Sequence, residues 1–234
     1  MRGTIRTRIC TGIPTTMTET PSPHLPLLTL AAWLSPGFPV GAFAYSHGLE
    51  QAIAAGEVTD AATAQAWIGT CALHGAGRND AILTAAAMRG EDADELDALA
   101  RAFAASEERL RETAAMGAAF GETVAAAWSL PAGHDGKPRT YPVALGVAAR
   151  GMEPGAVVAM ALSAFAANLV SAAVRLVPLG QVEGQRILAA LHPLVARVAA
   201  EACEATTDEM GGCAWNADIA AMRHETQTVR LFRT

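Results

Sequence analysis

The chain has 234 residues, of which 51% are hydrophobic and 17% charged, with a formal net charge of -6. So apolar a composition excludes a chain disordered throughout. The negative balance, with no basic stripe carrying interleaved aromatics, argues against a nucleic-acid binder. Aromatics are only 5% and alanine abounds, which favours closely packed helices over a sheet sandwich. Cys10, Cys71, Cys203 and Cys213 form no C-x-x-C pair, and a chain of this length folds without disulfides, so free thiols in a reducing cytosol are expected.

In chain order, residues 1–24 read as a flexible leader: three early arginines precede no signal-length apolar run, and Thr, Pro and Ser follow. Met17 is an alternative start. Residues 25–224 read as one all-α domain, a bundle of roughly eight to ten helices, and residues 225–234 as a tail. The first helix spans Leu25 to Leu34 and ends at Ser35-Pro36. The next stretch is the least ordinary. Pro36 and Pro39 forbid a helix through them, and Gly37 and Gly41 allow a left-handed backbone or a close approach. From Ala42 the residues become helix-compatible and predict a helix to Ala55, with Tyr45, Leu49 and Ala52 on one face. This stretch reads either as a kinked connection buried in a core or as a shaped surface that meets another protein, with Phe38 and Phe43 needing cover.

Thr59 or Asp60 caps a third helix, which carries Trp67, Ile68 and Cys71. Gly75-Ala76-Gly77 interrupts it, and Asn79 or Asp80 restarts it. Helices follow over Glu95 to Ala105 and, capped by Ser106, on to Leu130. Ser106-Glu107-Glu108-Arg109 is a near-miss to a capping box, and Glu107 to Glu112 reads as a solvated charge run. Pro131 to Pro138 is a loop. Further helices span Tyr141 to Ala149, Pro154 to Val177 and Gln181 to about Ala205, with a short one over Ala217 to His224. Ala156 to Val174 approaches the ~20 uncharged residues of a membrane span. Its Ala-, Gly- and Ser-rich composition, with Asn168 near the middle and Arg175 following, suits a buried helix of a soluble bundle better.

Few chemical motifs are present. There is no G-x-x-x-x-G-K-[ST], G-x-S-x-G, H-E-x-x-H or G-x-G-x-x-G. The six histidines are scattered; His47 near Glu50 is the least weak metal candidate, and three or four ligands are wanted. Cys203 and Cys213 flank Gly211-Gly212 and read as unrelated thiols. Asn168, Ser171, Arg175 and Gln181 form a polar set on or just beyond an apolar helix. Such a stripe must be paired internally or face a partner.

Pro36-Gly37-Phe38-Pro39-Val40-Gly41-Ala42-Phe43-Ala44-Tyr45-Ser46-His47-Gly48-Leu49-Glu50 resembles the signature P-x-x-P-V-G-(G/A)-F-x-Y-S-x-G-L-E of the urease accessory protein F (UreF) family. Asn168 to Gln181 is similar to that family's second signature, Tyr141-Pro142-Val143 also fits, and His224 to Thr234 resembles its C-terminal motif. Two departures are Ala42, where a second glycine is common, and Thr228, where a tyrosine is common. The resemblance implies an all-α cytoplasmic homodimer without catalytic residues, cofactor or metal ligands of its own. It would bind neither nucleic acid nor membrane. Its implied partners are the UreD/UreH accessory protein, the GTPase UreG and the urease apoprotein, in a complex that delivers nickel. A regulator of GTP hydrolysis by UreG is the alternative. The resemblance and the residue types point to Phe38, Tyr45, Ser46, His47, Glu50, Arg175, Gln181, Arg230 and Phe232 as partner-binding residues, with the tail mobile until bound.

Overall fold

Local signals start most of the helices. In the computed structural model, which describes Ser22, residues 24–129 and residues 135–234, ten α-helices and two short 3-10 turns appear and, among the described residues, no strand. The helices are α1 (Leu25–Trp33), α2 (Leu49–Ala54), α3 (Ala61–His74), α4 (Ala76–Arg89), α5 (Ala93–Ala102), α6 (Glu107–Ala127), α7 (Tyr141–Ala148), α8 (Pro154–Leu176), α9 (Gln181–Glu204) and α10 (Trp215–His224). The all-α expectation holds. Asp60, Asp92, Ser106 and Glu153 each accept backbone N–H groups of the following helix, satisfying donors that a helix start leaves orphaned. The leader up to residue 21, with Cys10, and the loop residues 130–134, with His134, lie outside the described residues.

Two helix expectations are corrected. No single helix covers 42–55. A 3-10 turn at Ala42–Ala44 leads to an extended Tyr45, then to left-handed His47 (φ 51°) and Gly48 (φ 75°), and only then to α2. The cause is tertiary: a Cβ on Gly48 would lie 2.7 Å from the Ala221 nitrogen and 2.8 Å from the Ala217 oxygen, so α10 passes directly over this backbone. Likewise α4 begins at Ala76 rather than at Asn79 or Asp80. Helix α9 runs through Pro193 without a break.

The core forms three apolar clusters. Leu49, Ile68, Leu162, Leu169, Ile187 and Leu191 join α2, α3, α8 and α9. A second cluster joins α4, α5, α7 and α9. The third gathers Trp33, Phe38, Phe120 and Leu145. In it Phe120 stands edge-on to Trp33 at 5.5 Å and to Tyr141 at 5.7 Å, and Phe38 tilts against Phe120 at 5.5 Å, the arrangement that ring quadrupoles favour. Gly146 lets α7 close on α4; a Cβ there would meet the Thr84 oxygen at 2.5 Å. Helix α8 is long and apolar enough to cross a membrane, yet it packs against α9, α4 and α3.

Candidate functional site

The first signature and the tail meet in one buried polar site. Tyr45 is extended, and the Ala42 and Tyr45 carbonyls accept from Asn168 Nδ2 at 2.7 and 3.2 Å. This fixes the segment on α8. The Ser46 backbone N–H and hydroxyl both donate to the Thr234 carbonyl oxygen, the former at 2.9 Å. Arg233 N–H donates to the Ala44 carbonyl at 2.7 Å. Glu50, at the start of α2, accepts Leu231 N–H on Oε1 at 2.7 Å and Phe232 N–H on Oε2 at 2.8 Å. One carboxylate thus satisfies two consecutive tail amides that would otherwise be orphaned.

The ion cluster behind this clasp comes from α6 and α10. His224 is fully buried, with Nδ1 2.7 Å from Glu108 Oε2 and Nε2 3.2 Å from Glu50 Oε2. An imidazole between two carboxylates satisfies both when each nitrogen carries hydrogen. Glu108 also receives Arg230. One turn on, Glu112 accepts the Thr234 hydroxyl at 3.2 Å and pairs with His47 Nε2 at 3.0 Å and Arg109 at 3.1 Å. Arg109 also reaches Asp80 at 2.5 Å. Burial pushes the Asp80 carboxyl above the usual range despite Arg109. Burial would raise Glu112 as well, but His47 and Arg109 outweigh it and hold Glu112 below 4.5. Two cavities of about 320 and 620 Å³ flank the cluster, and His47, Asp80 and Arg109 line both.

Most of the expected partner contacts therefore have partners inside the chain. Phe38, Tyr45, Ser46, Glu50 and Phe232 are buried and His47 is half-buried. Within the chain the tail bonds Ser46 and Glu50, α6 meets Phe38 and His47, and Asn168 of α8 donates to the Tyr45 carbonyl. Arg175 bridges: it donates to Ser171 Oγ at 3.0 Å and to the Phe43 carbonyl at 3.3 Å, and lies 5.2 Å from the Phe232 ring centroid. Gln181 is exposed at the start of α9, and no contact ties it to the clasp. The tail, expected to be mobile, is seated on the domain by the bonds above.

Sequence reasoning missed Asp80, Glu108, Arg109, Glu112 and Thr234. Glu107 to Glu112 is not wholly solvated, since Glu108 and Glu112 point inward. The signal was present: residues 108, 112, 116, 120 and 124 recur every four positions, and the last three are apolar core residues. Among the described residues no group of three or more His, Cys, Asp and Glu side chains is arranged to hold a metal ion.

Comparison with known proteins agrees with this geometry. The UreF family model matches residues 58–192. A protein of Cereibacter sphaeroides called "Urease accessory protein UreF" is 60% identical over 210 residues, 89% of this chain and 98% of the relative. Proteins of the same name from Roseobacter denitrificans (51% over 211 residues, 88% and 93%) and Bradyrhizobium sp. (43% over 223 residues, 90% and 93%) are also similar. With the matched region spanning most of the helical domain, this chain belongs to the UreF family of urease accessory proteins.

Proposed function

We propose that the chain is a non-catalytic scaffold for urease maturation. It joins the UreD/UreH accessory protein and, through that complex, the UreG GTPase and the urease apoprotein, so that nickel reaches the enzyme as cargo. The observation that carries the reading is the use of the buried carboxylates. Glu50, Glu108 and Glu112 each hold the chain's own tail, so the charged groups of the family signature build a shape rather than await a substrate.

The proposal includes a cytoplasmic homodimer. Only 44% of the most apolar window of α8 is buried within the chain. Ala161, Ala164 and Ala167 of α8 are half-buried and border the smaller cavity, and a second copy closing over that cavity would bury them further. The test is coexpression of tagged chain with UreD/UreH, followed by mass analysis of the purified complex. Recovery of both chains, with two copies of this one, is expected. A tagged chain that recovers no UreD/UreH, and whose deletion leaves urease fully nickel-loaded, would refute the reading.

A further inference from the structure

The smaller cavity has apolar walls and a polar inner end. The signature loop lines it with Phe38 and Val40, α6 with Met116, and α8 with Leu162 and Phe165. Pro36, Phe43, Ser171 and Arg175, all exposed, mark its mouth. Asp80, Arg109, Glu112 and Tyr141 line the rest. Apolar walls with a few polar groups are the usual form of a small-molecule site, at about 300–1,000 Å³. An apolar cavity of about 150 Å³ takes benzene. The roughly 320 Å³ found here therefore has room for a ring and a short polar group.

The polar end decides which group that is. Arg109 is shared by Asp80 and Glu112, and Glu112 also pairs with His47. Each of these groups already faces an opposite one, so an ionic ligand would lose its hydration without gaining a counter-ion. Tyr141 differs. Among the described residues its hydroxyl has no hydrogen-bond partner. Burial, with the Asp80 carboxyl nearby, pushes the phenol above its usual range, so the hydroxyl stays protonated and can both donate and accept. An uncharged hydroxyl or amide satisfies such a group.

We propose that this cavity binds a small uncharged organic molecule, its apolar body between the signature loop and α8 and its hydroxyl or amide on Tyr141. The proposal goes beyond the scaffold reading and does not depend on it. It also gives the loop's apolar residues a use, since Asn168, which lines the same cavity, ties that loop to α8.

The full-length chain is titrated with benzamide and benzyl alcohol, and with benzoate and benzylamine as charged counterparts of similar size. Ligand-observed NMR and thermal melts report binding. The neutral pair should bind at least tenfold more tightly than the charged pair and raise the midpoint by roughly 3–6 °C at ten times their Kd. Tyr141→Phe removes only an unpaired hydroxyl, so its midpoint without ligand should stay within about 2 °C of the parent, while benzamide affinity falls about fivefold. Ala164→Phe, at a half-buried position on the cavity wall, should fill the space and abolish binding of both neutral probes. Parental benzamide affinity in Tyr141→Phe, or neutral-probe binding that survives in folded Ala164→Phe, would overturn the proposal. So would charged probes that bind as well as neutral ones, or no saturable binding of either neutral probe up to about 20 mM.

Discussion

Replacing Glu50 by alanine tests the clasp directly. The change removes the acceptor of two tail amides, Leu231 and Phe232, and one of the two carboxylates facing His224. A buried polar group left without its partner costs about 1–3 kcal/mol. Tail amides can partly recover water once the tail lifts, whereas His224, fully buried at the end of α10, cannot. A net loss of about 3 kcal/mol follows, and for a chain of this size that lowers the thermal midpoint by roughly 6–12 °C. Hydrogen exchange gives the local readout. In the parent the Leu231, Phe232 and Arg233 amides are bonded and protected; in Glu50→Ala all three should exchange at rates near those of a free chain, and trypsin should cleave after Arg230 and Arg233. The amide of Ile82, deep in α4, should stay protected below the midpoint. If Leu231 and Phe232 keep their protection, or the midpoint falls by less than 2 °C, the clasp does not hold the tail and the reasoning fails.

Other consequences can be checked the same way. Gly48→Ala places a Cβ 2.7 Å from the Ala221 nitrogen at a left-handed position, so it should cost at least about 1–3 kcal/mol of strain and loosen α10; an unchanged melt would count against the close approach. Glu112 titrates below its ordinary value when folded, so its contribution is present above about pH 4.5 and is lost as pH falls through the lower folded value. Urea melts of Glu112→Gln should therefore be less stable than the parent at pH 7, with the gap closing in acid; a gap that widens in acid would contradict the sign. Asp80, raised by burial, runs the opposite way and favours the fold in acid. Burial pushes the Cys71 thiol up to about 12, so alkylation at pH 8, mapped by peptide mass, should mark exposed Cys213 and spare Cys71 until the chain unfolds. Arg175→Lys keeps the charge but loses the planar fork shared by Ser171 and Phe43; a loss of about 1 kcal/mol is expected, coupled to Phe232→Leu in a double-mutant cycle.

Where packing is local or periodic, the sequence was readable. Asp60 and Ser106 announce their helices, and the core face of α6 follows from a four-residue spacing. The pairing of Asn168, Ser171 and Arg175 could be stated only as a choice between an internal network and a partner face; the structure makes it internal, with the Phe43 loop and Ser171 as acceptors. What could not be read is which signature residues face inward. A row of Tyr, Ser, His and Glu beside glycines has the composition of an exposed recognition loop. Its burial depends on ten residues that lie almost two hundred positions away, and no local spacing encodes that contact. Propensity also misled: Ala42 to Ala55 is rich in helix formers, but the crossing of α10 over Gly48 overrides them, since tertiary contacts outweigh preferences of a few tenths of a kcal/mol per residue.

The unusual chemistry of the signature follows from its task. The tail bends at residues 228–229 and 231–232 and turns two successive backbone donors, Leu231 and Phe232, to one side, and a buried donor requires an acceptor. Glu50 supplies two, and its Oε2 also meets His224 Nε2 at 3.2 Å, while Arg230 pairs with the neighbouring Glu108. His224 also faces Glu108, so α2, α6 and α10 meet at one imidazole, and the tail bonds the same two carboxylates. Removing Glu50 or Glu108 leaves the buried His224 and a tail group short of a partner, which costs more than the contact itself returned. That interdependence makes the clasp all-or-none: either the tail is seated or several groups lose partners together.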